Sequence, residues 1–189
     1  MDLELLTAEQ GERLVGLARS SLEETLGVEP TAELEMPSWL EEAGATFVTL
    51  QIAADLRGCV GTLEAHRSLF EDVRANAMAA GFRDPRFEPL RREELSLLRV
   101  EVSVLGVPVT IEFSSEDALM DSLRPGQDGV IIEASGRRAT FLPKVWDTLP
   151  KPRQFLRELK RKAGLKTGDS TVELQAWRYG VSSWADRDA

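Results

Sequence analysis

Residues 46–63, TFVTLQIAADLRGCVGTL, hold two strand-like runs on either side of a short turn. Thr46 to Ile52 is rich in β-branched and aromatic side chains, and Arg57 to Leu63 follows as its partner. A helix over 68–81 comes next, with Leu69, Val73, Asn76, Ala77 and Ala80 on one stripe. A Pro-marked segment, Asp84-Pro85-Arg86-Phe87-Glu88-Pro89, leads into a third strand at Arg99–Leu105, where Val100, Val102 and Val104 alternate with more polar neighbours. The order strand, strand, helix, strand then recurs. Val130–Ala134 and Arg137–Leu142 flank the hairpin signal Ser135-Gly136. A helix over 152–163 starts on Pro152, with Phe155, Leu156, Leu159 and Ala163 on one face, and a last strand runs from Thr171 to about Tyr179. Residue identity between the halves is negligible, so only a structural duplication is inferred. The fold class expected is α+β: two β-β-α-β halves forming one mostly antiparallel sheet with helices packed against it, in a single domain spanning 1–189.

Outside the halves, Thr7 with Gln10 reads as a capping box. Leu14, Leu17, Ala18, Leu22 and Leu26 continue a helix over 7–27 to Gly27. Residues 28–44, with Pro30, Pro37 and Gly44, read as loop, and a short helix is expected near Ser115–Leu123, ended by Pro125-Gly126.

Charge divides the chain further. The net charge is −9, and residues 1–45 carry all of it, with 11 acids against 2 bases. Residues 151–166 hold seven bases (Lys151, Arg153, Arg157, Lys160, Arg161, Lys162, Lys166) and one acid, Glu158. Overall acidity argues against strong non-specific nucleic-acid binding, while the basic stripe keeps RNA or a nucleotide open as ligand. No apolar run nears the roughly 18 residues of a membrane span, and the acidic N-terminus lacks a secretory pattern. A lone cysteine, Cys59, precludes an internal disulfide. The expected location is the cytoplasm.

The candidate chemistry gathers on Leu56–Thr62. Two glycines within a strand mark a bulge or a close backbone approach. Alternation places Arg57, Cys59 and Gly61 on one face, with Arg57 and Cys59 about 7 Å apart at their Cα atoms. A guanidinium there would favour a thiolate, and Gly61 would leave room for a ligand. Gly58 and Thr62 complete the candidate ligand-binding set, with Asn76 inside the apolar stripe and Arg83 and Arg86 beside Phe82 and Phe87. Cys59 is the candidate nucleophile; packed as a small hydrophobe, it would instead belong to the core. His66, the single histidine, pairs with Cys59 only by closeness in sequence, and two soft ligands do not make a structural zinc site. Arg153, Arg157, Lys160 and Arg161 are the candidate nucleic-acid contacts. No P-loop, G-x-S-x-G, G-x-G-x-x-G or paired-cysteine signature is present, so no cofactor or metal is implied.

Leu56-Arg57-Gly58-Cys59-Val60-Gly61-Thr62, Ala80-Gly81-Phe82-Arg83-Asp84-Pro85-Arg86-Phe87-Glu88-Pro89-Leu90 and Ala139-Thr140-Phe141-Leu142-Pro143 occur in the order and separation of the AMMECR-domain family, also called AmmeMemoRadiSam system protein A, and the chain resembles it from the first helix to about Tyr179. The resemblance implies a duplicated α+β fold and association with a Memo-type protein and a radical-SAM protein. It places the site on Arg57, Gly58, Cys59 and Gly61. Many members read His-Gly before the strand that begins here at Val130, where this chain has Asp128-Gly129; Asp128 is expected to hold the turn. Three functions follow as expectations: a ligand- or partner-binding module without independent catalysis, an enzyme or enzyme subunit using Cys59, and an RNA or nucleotide binder using the basic helix. The shortage of acid–base groups favours the first.

Overall fold

The structure, a computed structural model, describes residues 6–30, 36–165 and 174–186. Among the described residues four α-helices, α1 (Ala8–Thr25), α2 (Leu69–Phe82), α3 (Glu116–Ser122) and α4 (Pro152–Lys162), alternate with eight strands. The strands are β1 (Thr46–Ile52), β2 (Asp55–Gly61), β3 (Leu98–Leu105), β4 (Val109–Thr110), β5 (Gly129–Ala134), β6 (Arg137–Phe141), β7 (Gln175–Tyr179) and β8 (Val181–Ala185). The chain divides into two compact units: one runs to Leu105 and takes up the residues from Ser182, the other comprises Gly106–Val181.

In the first unit α1 begins at the Thr7 capping box: Thr7 Oγ1 accepts from Gln10 N at 3.2 Å and Gln10 Oε1 from Thr7 N at 2.8 Å. It ends where Gly27, at φ +67°, lets Val28 N reach back to the Glu23 carbonyl. Leu14, Leu17, Ala18 and Leu22 share one buried cluster with Val48, Leu50, Val73, Ala77, Val100 and Val102. Each leucine or valine among them stabilises by roughly 1.5–3 kcal/mol when fully buried. The sheet order is β2-β1-β3-β8, with β1 antiparallel to both β2 and β3.

The second unit repeats the plan. Its sheet order is β4-β7-β5-β6, and β5 is antiparallel to β6 and β7. Leu119, Val130, Ile132, Leu156, Leu159 and Ala176 surround Phe155, whose ring stacks on Trp146 at 3.7 Å and meets Phe141 edge-on at 5.3 Å.

The α+β class and the antiparallel β-β-α-β order hold. The single sheet does not: the strands form two four-stranded sheets. Each half buries its inner strand face under its own helix, and an unanticipated short strand then occupies the free edge, β8 beside β3 and β4 beside β7. The last strand is described from Gln175; the expected residues 171–173, like Lys166, lie outside the described residues. No helix among the described residues is long and apolar enough to cross a membrane.

Candidate functional site

β2 is the edge strand of the first sheet, and its ladder to β1 slips between Leu50/Gln51, leaving Arg57 bulged between the pairs Leu50↔Gly58 and Gln51↔Leu56. Gly58 faces α2: a Cβ there would stand 2.2 Å from the Ala80 carbonyl oxygen. Gly61 faces the other way, and the space beside it holds the Phe47 ring, 2.2 Å from where a Cβ would be. The room expected there for a ligand is therefore taken by a cross-strand aromatic. Both glycines serve close packing.

Cys59 lies opposite Thr49, with Sγ 3.4 Å from the Thr49 hydroxyl. Its backbone points outward from the edge and is clamped by the second motif. Asp84 Oδ2 accepts from Cys59 N at 2.9 Å, and Arg86 Nη2 donates to Cys59 O at 3.1 Å. Asp84 and Arg86 also pair with each other, Arg86 Nε reaching Asp84 Oδ1 at 2.9 Å. The Arg86 guanidinium, followed by the Cys59 and Arg86 amides, holds the buried Asp84 carboxyl well below the usual carboxylate range despite desolvation. The clamp does for this edge what another strand would do, satisfying an outward N–H and C=O. In the second unit Lys162 Nζ caps the corresponding edge by donating to Thr140 O at 2.9 Å.

Arg57 does not reach toward a thiolate partner; it is forked onto Glu94, Nε to Oε1 at 2.8 Å and Nη2 to Oε2 at 3.0 Å. That hydrogen-bonded pairing holds the Glu94 carboxyl below its ordinary value and raises the guanidinium. The remaining nitrogen, Nη1, is buried with no hydrogen-bond partner among the described residues. Nothing in the sequence pairs Arg57 with Glu94, which sits inside the charged run Arg91–Glu94.

Thr62 and Asn76 come together elsewhere, in a network at the start of α2. Asp72, fully buried, accepts from Thr46 N at 2.8 Å, Asn76 Nδ2 at 2.9 Å and Arg67 Nε at 2.7 Å. Asn76 Nδ2 also donates to Thr46 O at 3.0 Å, and Arg67 Nη2 to Thr62 Oγ1 at 3.2 Å. These groups satisfy one another, as buried polar groups must. Arg83 is exposed and lines a different surface, an open groove of about 630 Å³ with Phe70, Met78 and Phe82. His66 is exposed, with Nδ1 2.9 Å from Glu64 O.

The basic stripe of α4 meets acids. Arg153 pairs with Asp117 at 3.4 Å, Lys160 with Glu116, and Arg157 and Arg161 with Glu158 at 3.3 and 3.0 Å. Asp128 holds its turn: its carboxylate accepts from Arg124 N at 2.9 Å and from the Arg124 guanidinium, and Trp146 Nε1 donates to its carbonyl at 2.7 Å. Among the described residues no group of three or more His, Cys, Asp and Glu side chains is placed to hold a metal ion.

Two β-β-α-β units with a side-chain clamp on the edge strand of the first define a class of duplicated α+β protein. The AMMECR1 family model matches residues 15–184, and the chain belongs to that family. Archaeal relatives include a protein of Thermofilum pendens, 36% identical over 93% of this chain and 85% of its own length. A protein of Methanocella arvoryzae is 36% identical over 93% of this chain and 89% of its own. The crystal structure of an uncharacterized protein from Pyrococcus horikoshii superposes with a TM-score of 0.80 at 31% identity, covering 97% of this chain and 94% of that one.

Proposed function

We propose that this chain is a ligand- or partner-binding module that acts with a Memo-type protein and a radical-SAM protein, through a surface built on Arg57–Thr62. The observation that carries the reading is Arg57: two of its nitrogens are locked by Glu94, and Nη1 is buried without an acceptor among the described residues. An orphaned buried donor costs about 1–3 kcal/mol, which an acceptor brought by a ligand or partner would offset. The surroundings suit binding better than catalysis. The Cys59 backbone is held on both sides, and among the described residues the hydrogen-bond partner of its thiol is the Thr49 hydroxyl, which is not a base.

The test is interferometry of the purified chain against the Memo-type and radical-SAM proteins encoded in the same genome. Wild type is expected to bind at least one of them, Arg57→Lys and Arg57→Ala each about tenfold more weakly, a loss of about 1.4 kcal/mol. Absence of binding to both, or equal binding by all three chains, overturns the proposal. Alkylation of the single thiol against pH adds a separate arm. A midpoint well below about 8.5 that rises in Arg57→Ala would replace the binding module by a Cys59 enzyme.

A further inference from the structure

The second unit carries an open groove of about 590 Å³ at the third sequence motif. Its floor is apolar: Phe141, Leu142, Val145 and Leu149. Lys144 and Arg161 stand on its walls, and the Arg161 side chain is 83% exposed. Residues 142–162 hold seven cations against two acids, Asp147 and Glu158. Glu116 and Asp117 neutralise Lys160 and Arg153, away from the groove. At the groove itself one carboxylate, Glu158, pairs with Arg161 and is shared with Arg157 outside the lining, while Lys144 has no ion-pair partner among the described residues. The balance around the apolar floor is therefore positive. The groove beside α2 differs: there Arg74 is neutralised by Glu24 and Glu71 lines the wall.

We propose that this groove docks a short acidic–apolar segment of a protein partner, its apolar side chains seated on Phe141, Leu142, Val145 and Leu149 and its carboxylates on Lys144 and Arg161. Shape and chemistry both select a peptide. An open trough buries too little of a small molecule, which prefers an enclosed pocket. Single-stranded nucleic acid would need a free aromatic face for base stacking, and Phe141, the one aromatic lining the groove among the described residues, has Lys162 Nζ over its ring at 5.2 Å and Phe155 against it edge-on. A helix or strand with leucines between acids needs no stacking face, and its affinity comes from apolar burial with charge setting the specificity. This site is distinct from the Arg57 surface, and the two proposals stand or fall separately.

The test begins with a phage-displayed library of random peptides panned on the intact chain. Selected peptides are expected to combine Leu, Ile or Phe with Asp or Glu. The strongest, labelled with fluorescein, should bind wild type with an affinity that falls as salt is raised. The double substitution Lys144→Glu/Arg161→Glu, at two exposed positions, should weaken binding about tenfold or more, and Lys144→Gln/Arg161→Gln by an intermediate factor. Arg153→Glu should change it by less than about twofold, since Arg153 is engaged by Asp117 away from the groove. Selection of basic or uncharged peptides overturns the proposal. So does affinity unchanged in both double variants, displacement of the peptide by poly-uridylate, or loss of binding that tracks self-association of the chain.

Discussion

Tyr179 is the chain's single tyrosine, so its ionisation can be read without ambiguity. Its ring covers Gly129 across the β5–β7 ladder, and its hydroxyl lies 2.8 Å from Thr140 Oγ1 and donates to Phe141 O at 3.3 Å. Burial disfavours the phenolate and pushes the group up to about 12, the Thr140 contact opposing it only in part. Unfolded, a tyrosine ionises near 10. The folded value is thus the raised one, so the stability it confers is fully present below about 10 and is lost as pH rises through about 12. Tyrosinate absorbance should titrate with a midpoint near 12 in the native protein and near 10 in denaturant; a native midpoint near 10 would contradict the burial. At this scale the sequence was legible by type and not by partner. Two glycines beside Arg57 and Cys59 announced a close backbone approach, and Asp128 before Gly129 announced a turn. That Asp84 turns back 25 residues to hold the Cys59 amide, and that Arg57 pairs with Glu94 rather than with the thiol, depends on tertiary approach that no local pattern encodes.

Among elements, the contact of β2 with α2 is set by the absence of a side chain. At Gly58 the obstacle to a Cβ is the Ala80 carbonyl, part of a helix backbone that cannot rotate away. At Gly61 it is the Phe47 ring, which is only partly buried and can turn about its own torsions. Gly58→Ala should therefore force strand and helix apart and cost about 2–3 kcal/mol. Gly61→Ala should cost about 1–2 kcal/mol, since the Phe47 ring must swing to clear a Cβ 2.2 Å from its Cγ and reduced unfolded-state freedom offsets only part of that. Urea unfolding of the two variants decides between them, and equal losses would mean that β2 is not held against α2 as described. Elements with strong internal signals were the readable ones. β1 and α1 follow their β-branched run and capping box closely, and α4 follows its apolar face. β4 and β8 were missed for a physical reason: two residues of β4 show no alternation, and Val-Ser-Ser-Trp-Ala lacks a consistent apolar face, so only an open edge elsewhere makes strands of them.

At the scale of the whole molecule, the chain leaves the first unit at Leu105, builds the second through Val181, and returns to the first at Ser182. The returning segment is tied into the first unit by specific contacts. Asp186 N donates to Val100 O at 3.0 Å, and Asp186 Oδ1 accepts from Val100 N at 2.8 Å. Arg19 Nε, from α1, donates to Asp186 Oδ2 at 2.9 Å, and the Trp184 ring lies over Gly11. Hydrogen bonds to a charged group are worth about 1.5–3 kcal/mol, and a packed aromatic adds a comparable amount. A chain ending at Val181 should therefore lose at least about 3 kcal/mol from its first unit, on the same magnitudes. The second unit keeps all its strands in that truncation, so the loss should be local. Hydrogen exchange resolved by peptide distinguishes the cases: the β1 and β3 amides should exchange faster, while β5 and β7 keep their protection. Asp186→Ala, which leaves β8 in place, should show the same pattern at smaller amplitude. Faster exchange in both units alike would mean that the chain unfolds as one cooperative body, and unchanged exchange in β3 would mean that β8 is an ornament on an already stable sheet. The local outcome is the one the contacts require, because every partner of Trp184 and Asp186 named here belongs to the first unit.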